Sequence, residues 1–161
     1  MIRKQVLSLM VLWIIGVVLT LPIAAQPIYT GATEVLIRQV LAEMEIDYEQ
    51  SVDNNGDPIW RYTHNDILAT LIPYDPTIVG SYGSLLFFAG WNTKGDFPLS
   101  ATNEWNRTSR FGRAYVDDQG DPVVELDLLL AGGVTMQTIK EYMNVFTETV
   151  MSFGNTIQTQ E

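Results

Sequence analysis

Residues 110–131 read RFGRAYVDDQGDPVVELDLLLA, and this stretch carries the clearest fold signal in the chain. Two runs of strand-forming residues, 110–117 and 123–131, lie on either side of the segment Asp118–Pro122. That segment is rich in Asp, Gly and Pro, the residues that favour tight turns. The stretch therefore predicts an antiparallel β-hairpin.

The second run also predicts which face of the hairpin is buried. Its even positions are apolar, whereas Glu125 and Asp127 fall on the opposite face of a strand with period two. With the five-residue loop given above, Arg113 is expected to oppose Asp127, because that register pairs opposite charges. A slip by one residue would place Arg113 against Leu126 instead.

Further strands are predicted upstream of this hairpin. Ile46–Val52 alternates between polar and apolar residues, and the turn Asp53–Asp57 joins it to a second strand, Ile59–His64. Ile67–Ile72 is a third short apolar run. Ser84–Trp91 is apolar without alternation, which predicts a central strand covered on both faces. The residues expected to form the loop between these last two strands are Pro73, Asp75, Pro76, Gly80 and Gly83.

Three helices complete the pattern. Thr33–Glu45 has apolar residues at helical spacing, and Leu99–Ser109 is a shorter candidate that contains Trp105. A long helix is expected to start at Thr135 or Thr138 and to end at Gly154. Its apolar stripe consists of Ile139, Met143, Phe146, Val150 and Phe153.

Together these elements predict an α+β fold. We expect an antiparallel sheet of about five to six strands with the helices on one face, in the order α-β-β-β-β-α-β-β-α. The predicted organisation is a flexible lead at 26–32, a single domain at 33–154 and a disordered tail at 155–161.

Residues 1–25 have the organisation of a secretory signal. Two basic residues precede the uncharged run Val6–Leu21, Pro22 ends the run, and small residues follow up to Ala25. We expect cleavage after Ala25. The alternative is an uncleaved membrane anchor, because the apolar stretch of about 20 residues is long enough to cross a bilayer. Either outcome predicts a periplasmic or secreted domain.

Composition excludes several classes of function. The chain has 161 residues, of which 19 are acidic and 9 basic, and its net charge is −10. This argues against a nucleic-acid partner, because phosphate neutralisation needs clustered Lys and Arg. The chain has no cysteine, which excludes disulfides, thiolate metal sites and cysteine nucleophiles. Its 47% hydrophobic content excludes a disordered chain.

The motifs of catalysis and metal binding are weak. His64 is the only histidine, and it is predicted to be a solvated residue at a strand end rather than a catalytic base. The acidic turns resemble calcium loops, but Gly56 and Gly120 stand at the fourth position, which does not fit the EF-hand spacing. No cofactor or metal is predicted. A carboxylate-based hydrolase remains an alternative, since 19 acids must include close pairs.

Aromatic residues are the remaining candidates for a binding surface. Trp60, Trp91 and Trp105 offer large rings that are favoured at interfaces, although a core position is expected for any single ring. Together with the polar residues Asn106 and Arg110, they make up the candidate ligand- or partner-binding residues: Trp105, Asn106, Arg110, Trp60 and Trp91.

Three segments carry a resemblance to a known family: residues 103–117, 120–128 and 131–135. They contain an Asn-x-Trp-Asn block, then Arg-Phe and Ala-Tyr, and then Gly-Gly-Val-Thr before a helix that ends in Phe. The chain resembles the YbjN family of bacterial proteins. The further motif residues, for which a structural role is expected, are Asn103, Phe111, Tyr115, Gly132 and Gly133.

This resemblance implies an α+β fold similar to type III secretion chaperones, often dimeric, with no established enzyme activity. The export signal departs from cytosolic members of the family. We therefore predict an exported, homodimeric, non-enzymatic module that holds a peptide or protein partner of the cell envelope. The alternatives are a small-molecule sensor that uses Trp105 and Arg110, and the carboxylate-based hydrolase.

Overall fold

The computed structural model describes residues 25–77 and 80–159, which form three helices and nine strands. The helices are α1 (Glu34–Glu43), α2 (Leu99–Thr108) and α3 (Met136–Gln158). The strands are β1 (Ile28–Tyr29), β2 (Ala32–Thr33), β3 (Tyr48–Val52), β4 (Pro58–His64), β5 (Ile67–Pro76), β6 (Ser81–Gly90), β7 (Arg113–Val116), β8 (Pro122–Leu129) and β9 (Val134–Thr135).

The predicted α+β architecture is confirmed. Strands β3-β4-β5-β6-β8-β7 pair antiparallel in that order, and short β2 pairs with the start of β6. The three helices pack on one face of this sheet. Phe87 of β6 contacts Phe146 of α3 there, with ring centroids 5.8 Å apart. Each large apolar side chain buried in this layer contributes about 1.5–3 kcal/mol.

The opposite face of the sheet has no helix over it in the described ranges, which corrects the expectation that β6 is covered on both faces. Alternation along β6 directs Leu85 and Phe87 towards the helices and Leu86 and Phe88 away from them. Leu86 is nevertheless buried, because its neighbours in the sheet cover it. Strands β5 and β6 are also longer than predicted, and β5 takes in Pro73 and Pro76.

Two hairpins have the same turn. The turns 53–57 and 117–121 both read Asp-x-x-Gly-Asp and are followed by Pro. In each turn, one carboxylate oxygen of the first Asp accepts hydrogen bonds from the backbone N–H groups two and four residues later, at 2.8–2.9 Å. The turn glycine donates its N–H to the carbonyl of the same Asp, at 3.1 and 3.0 Å. Local sequence therefore sets the turn geometry.

The predicted register of the β7–β8 hairpin was wrong. Arg113 opposes Glu125, not Asp127, and Val116 opposes Pro122. The loop does have five residues, but it begins one residue earlier than predicted, because the carboxylate of Asp117 organises the turn. The new register still pairs opposite charges, and Arg113 also lies 3.7 Å from Asp127.

The segment 26–32 is not a flexible lead. β1 pairs with β9, and β2 pairs with β6, so both parts of the segment are held by backbone hydrogen bonds. Gly133 allows the first pairing, since a Cβ there would lie 2.4 Å from Ile28 Cγ2. Thr33 then caps α1, and its hydroxyl accepts the N–H of Leu36.

Helix α3 starts as predicted and ends later than predicted. Thr135 is its N-cap and accepts the N–H of Thr138 at 3.1 Å. The helix passes through Gly154 and continues to Gln158, because Ile157 adds a further buried apolar turn. The expected end at Gly154 was therefore wrong, and 155–158 are helical rather than disordered. The predicted signal segment, residues 1–25, lies outside the described residues except for Ala25.

Candidate functional site

Trp105 fixes helix α2 to the domain. Its side chain is only 5% exposed, and its ring lies 5.1 Å from that of Phe153 on α3. The indole Nε1–H donates to Ser152 Oγ at 3.2 Å. The position predicted as a binding residue thus lies in the packing between two helices.

Asn106 closes one edge of the sheet. Its amide Nδ2 donates to the carbonyl of Ala114 at 2.8 Å, and its Oδ1 accepts the N–H of Ala114 at the same distance. The Asp117 N–H donates to the Asp121 carbonyl, so these two residues form a hydrogen-bonded pair. Along an antiparallel ladder, such pairs alternate with pairs whose N–H and C=O groups point away from the partner strand. The backbone groups of Ala114 therefore point away from β8, where Asn106 takes the place of a neighbouring strand.

A buried carboxylate lies beside this edge. Glu125 is 6% exposed and accepts hydrogen bonds from Arg113 Nε and Nη2 at 2.9 and 2.6 Å and from the Tyr115 hydroxyl at 2.7 Å. The pKa of the Arg113 guanidinium is raised, mainly by its hydrogen bond to Glu125. Burial, and then the hydrogen bond to Glu125, raises the pKa of the Tyr115 hydroxyl. Removing Arg113 would leave the buried side chain of Glu125 without its ion-pair partner, which is costly.

The other motif residues are placed at the surface or in turns. The Arg110 guanidinium lies 5.2 Å above the ring of Phe111, and both side chains are exposed beside an open depression of about 270 Å³ next to Trp105. Asn103 is exposed on α2. Gly132 and Gly133 adopt φ values of 93° and 94°. The structure thus brings Trp105 and Arg110 to one depression but commits the indole N–H of Trp105 to Ser152.

The turn at 117–121 also holds the loop that leads from β6 to α2. One carboxylate oxygen of Asp121 accepts hydrogen bonds from Thr93 N at 2.7 Å, Thr93 Oγ1 at 3.1 Å and Gly95 N at 3.2 Å. These bonds, that from Thr93 N first, hold the pKa of Asp121 below its ordinary value. Gly120 lies so close to Gly95 that a Cβ on Gly120 would lie 2.5 Å from the Gly95 carbonyl oxygen.

The other two candidate tryptophans occupy different environments. Trp60 of β4 is fully buried, and its Nε1 has no hydrogen-bond partner in the part of the chain that is described. Trp91 follows β6 and is half-buried. Its indole makes a T-shaped contact with Phe153, with centroids 5.5 Å apart and planes at 78°. Trp91 also lines a cleft of about 450 Å³, which we call the Trp91 cleft.

Strand β3 forms the other edge of the sheet, and no strand or capping side chain covers it in the ranges 25–77 and 80–159. The same alternation of hydrogen-bonded and outward-facing residues applies to β3, because the Asp53 N–H donates to the Asp57 carbonyl across a turn of the same pattern. The N–H and C=O groups of Tyr48, Gln50 and Val52 therefore point away from β4. Four of the five residues of β3 are exposed, and Val52 is 64% exposed.

This open edge was missed by the sequence analysis. The repeated turn pattern did indicate which backbone groups face outwards. Two turns of the same pattern impose the same alternation of inward- and outward-facing N–H groups on the two outer strands. What the sequence did not reveal is that one outer strand is capped by Asn106 whereas the other is not. That difference depends on contacts between residues far apart in the chain.

The described residues offer little for catalysis. They contain no group of three or more His, Asp or Glu side chains placed to hold a metal ion. His64 Nε2 lies 3.2 Å from Asn144 Oδ1, and no carboxylate hydrogen-bonds to His64 in the described ranges. The carboxyl groups with a displaced pKa all have it lowered, through hydrogen bonds that they accept; these are Glu34, Glu43, Asp53, Glu104 and Asp121.

Comparisons with known proteins give a family and one structural likeness. No curated protein matches the sequence. The structure is similar to the type III secretion chaperone SycH of Yersinia pestis, solved in complex with a stable fragment of YscM2. The likeness has a TM-score of 0.48 and 12% sequence identity, and it covers 74% of this chain and 97% of that chain. None of the helices within 25–77 and 80–159 is long and apolar enough to cross a membrane.

The sequence of residues 34–159 matches the YbjN family, whose description is "Putative bacterial sensory transduction regulator". The resemblance carried by residues 103–135 is thereby confirmed. Because the match extends over well more than half of the chain, the protein belongs to the YbjN family.

Proposed function

We propose that this protein is an exported, non-enzymatic module that holds an extended segment of a partner protein along strand β3. Membership of a family described as a regulator indicates a binding or regulatory role. The observation that carries the finer proposal is the difference between the two edges of the sheet. Ala114 of β7 is capped by Asn106, whereas the outward-facing backbone groups of β3 have no partner among residues 25–77 and 80–159 and can pair with another chain.

Charge favours a basic partner segment. Asp47 and Glu49 lie exposed at β3, and Asp57 lies exposed in the turn that follows. The one basic residue that opposes β3 in the register is Arg61, across from Glu49. A strand rich in Lys or Arg would therefore be attracted to this edge, and a second acidic copy of β3 would be repelled.

The carboxyl groups support a non-enzymatic role. A hydrolase needs a general acid whose pKa is raised, so that it still holds a proton at working pH. The displaced carboxyl pKa values in the described residues are all lowered, as given above. The buried Glu125 is occupied by Arg113 and Tyr115. All of these carboxyl groups accept hydrogen bonds that hold turns, helices and strands together.

Export and dimerisation are part of the proposal. Export, to the periplasm or outside the cell, is supported by the charge and hydropathy pattern of residues 1–25. A homodimer is supported by apolar side chains exposed on the helix-free face of the sheet, where Tyr74 and Leu129 flank Ser84 in the register. Fractionation of expressing cells tests the first, and light scattering after size exclusion at two salt concentrations tests the second. Recovery in the cytoplasm, or a monomer at micromolar concentration, would contradict the respective part.

A labelled peptide tests the binding edge. The probe is a short peptide that alternates Lys and Val, and its counterpart alternates Glu and Val. We expect the Lys peptide to bind, with an affinity that falls as salt rises, and the Glu peptide to bind at least about tenfold more weakly. Fluorescence anisotropy measures both affinities.

A pair of variants at Gln50 makes the test specific. Gln50→Pro removes an outward-facing N–H without removing a hydrogen bond between β3 and β4, because proline is tolerated where an edge strand faces solvent. Gln50→Ala removes the same side chain and keeps that N–H. We expect Gln50→Pro to abolish binding of the Lys peptide and Gln50→Ala to preserve it. Equal binding of the Lys peptide by the two variants would refute the proposal that β3 is the binding edge.

A further inference from the structure

The Trp91 cleft is independent of the β3 edge. It lies where β6 ends, between the start of β5 and the last turns of α3. Its volume of about 450 Å³ falls within the range of small-molecule sites, about 300–1,000 Å³. Apolar side chains form part of its wall, and Met151 of α3 is 53% exposed. A concave surface with apolar walls and a few polar groups is typical of a ligand site.

Trp91 is held in place for this role. Its backbone N–H donates to the Pro122 carbonyl at 3.0 Å, and its ring makes a T-shaped contact with Phe153. On α3, Gly154 lies close to the indole, since a Cβ there would be 3.7 Å from Trp91 Cζ2. The indole is thus fixed by its backbone and by its contacts with α3, and it lines the cleft. A rigid aromatic wall costs little conformational entropy when a ligand binds.

The charge around the cleft selects the ligand. Asp66 is the one ionisable side chain among the described lining residues, and Asn155 and Gln158 contribute neutral amides. A carboxylate at the rim and a tryptophan ring in the wall both attract a cation, the first by charge and the second through the π-face of its ring. An anionic ligand would meet the Asp66 carboxylate with no cationic residue to offset it.

We propose that the Trp91 cleft binds a small organic amine, with the ammonium group at Asp66 and an apolar body between Trp91 and Met151. This site is distinct from the β3 edge and does not depend on the proposed function. It also differs from the sensor site predicted at Trp105 and Arg110, where the exposed cation Arg110 would repel an amine.

Three probes that share a phenyl ring and differ in charge test the site: phenethylamine, the neutral 2-phenylethanol and the anionic phenylacetate. We expect phenethylamine to bind best, 2-phenylethanol at least about threefold more weakly and phenylacetate most weakly, since exposed ion pairs contribute modestly. Ligand-observed NMR and calorimetry on the purified protein give the affinities. Failure of phenethylamine to bind at millimolar concentration, or equal affinity for the amine and the acid, would overturn the proposal.

Two variants locate the charge. Asp66→Asn keeps the shape of the turn, because Asn tolerates the left-handed backbone that Asp66 adopts at φ 63°. We expect this variant to bind phenethylamine no better than 2-phenylethanol. Asp75→Asn is the matched control, because Asp75 also has a left-handed backbone, at φ 57°, and lies outside the cleft. An unchanged preference for the amine in Asp66→Asn, or an equal loss in both variants, would refute the assignment.

A third variant locates the apolar body. Met151→Ala shortens an exposed helix residue, so the fold is expected to be retained. It should weaken phenethylamine and 2-phenylethanol by the same factor, about two- to fivefold, because both present the same ring. Undiminished binding of both probes would place them elsewhere and contradict the proposal.

Discussion

The β3–β4 and β7–β8 hairpins have the same Asp-x-x-Gly-Asp turn pattern and the same hydrogen bonds from backbone N–H groups within the turn, but they differ in what surrounds them. Around the first turn, a Cβ on Gly56 would meet no atom within 4 Å, and the outer strand is open. Around the second, Asp121 binds the loop at Thr93, and Asn106 caps the outer strand. We call these the open hairpin and the closed hairpin.

The difference shows what the family motif does in this chain. The chain between β6 and β7 folds back over the closed hairpin, and the motif residues Trp105 and Asn106 fix it there. The motif therefore removes one edge of the sheet from the surface and leaves the other available. The closed hairpin also positions Trp91, because the backbone N–H of Trp91 donates to the carbonyl of Pro122, directly after the closed turn.

The largest difference between the hairpins is expected from alanine at the turn glycines. Both glycines have a left-handed backbone, at φ 89° for Gly56 and 81° for Gly120. Gly56→Ala should cost about 1–2 kcal/mol of folding free energy through backbone strain alone. Gly120→Ala should cost about 2–5 kcal/mol, because its Cβ would also overlap the backbone of Gly95. Urea unfolding measures both free energies. Equal costs would show that the second turn does not pack against the loop at Gly95.

A smaller effect is expected at the edge cap. Asn106→Ala leaves the N–H and C=O of buried Ala114 without partners, which should lower the free energy of unfolding by about 1–3 kcal/mol. Asn103→Ala is the control on the same helix, since Asn103 is exposed, and its effect should stay within about 0.5 kcal/mol. Thermal unfolding compares the two, and a loss at Asn103 as large as that at Asn106 would contradict the cap.

Acid should remove a contact that only the closed hairpin makes, namely the hydrogen bonds from Thr93 and Gly95 to Asp121. The pKa of Asp121 is lowered in the folded protein from the ordinary value of 3.8, so its contribution to stability is present above that value and is lost as the pH falls through the folded value. Asp121→Asn should therefore flatten the decline in stability below about pH 4. Asp57→Asn, at the equivalent position of the open turn, is the matched control. Urea midpoints measured from pH 6 to pH 2 test this, and indistinguishable profiles for the two variants would contradict the role of Asp121.

The smallest difference is expected at the first residue of each turn. Asp53→Ala and Asp117→Ala remove the same pair of carboxylate hydrogen bonds to turn N–H groups. The two variants should lower the urea midpoint by similar amounts, because these bonds lie within each turn. A much larger loss at Asp117 would show that the turns differ internally as well as in their surroundings.

The sequence was sufficient for features set by local chemistry and periodicity. The alternation in β8 and the stripe from Ile139 to Phe153 predicted the strands and helix that form the core. The predicted pairing of Arg113 with Asp127 was wrong because the turn starts at Asp117, whose carboxylate organises it, and not at Asp118. The late end of α3 follows from burial of Ile157, which depends on tertiary packing.

The candidate sites were less accessible to sequence reasoning. Residue type singled out three tryptophans and Asn106, but contacts from distant segments decide what each residue does. Trp60 and Trp105 are buried, Asn106 caps a sheet edge and Trp91 lines a cleft. The open edge at β3 could not be recognised from β3 itself. It is defined by comparison with β7, which is closed by a side chain from another element.

Amide hydrogen exchange in the presence of the Lys–Val peptide tests the central claim most directly. The account predicts that the peptide slows exchange of the outward-facing N–H groups of Tyr48, Gln50 and Val52, which pair with the added strand. It predicts no change at Ala114, whose N–H is already bonded to Asn106. Protection at Ala114, or peptide binding without protection on β3, would contradict the account.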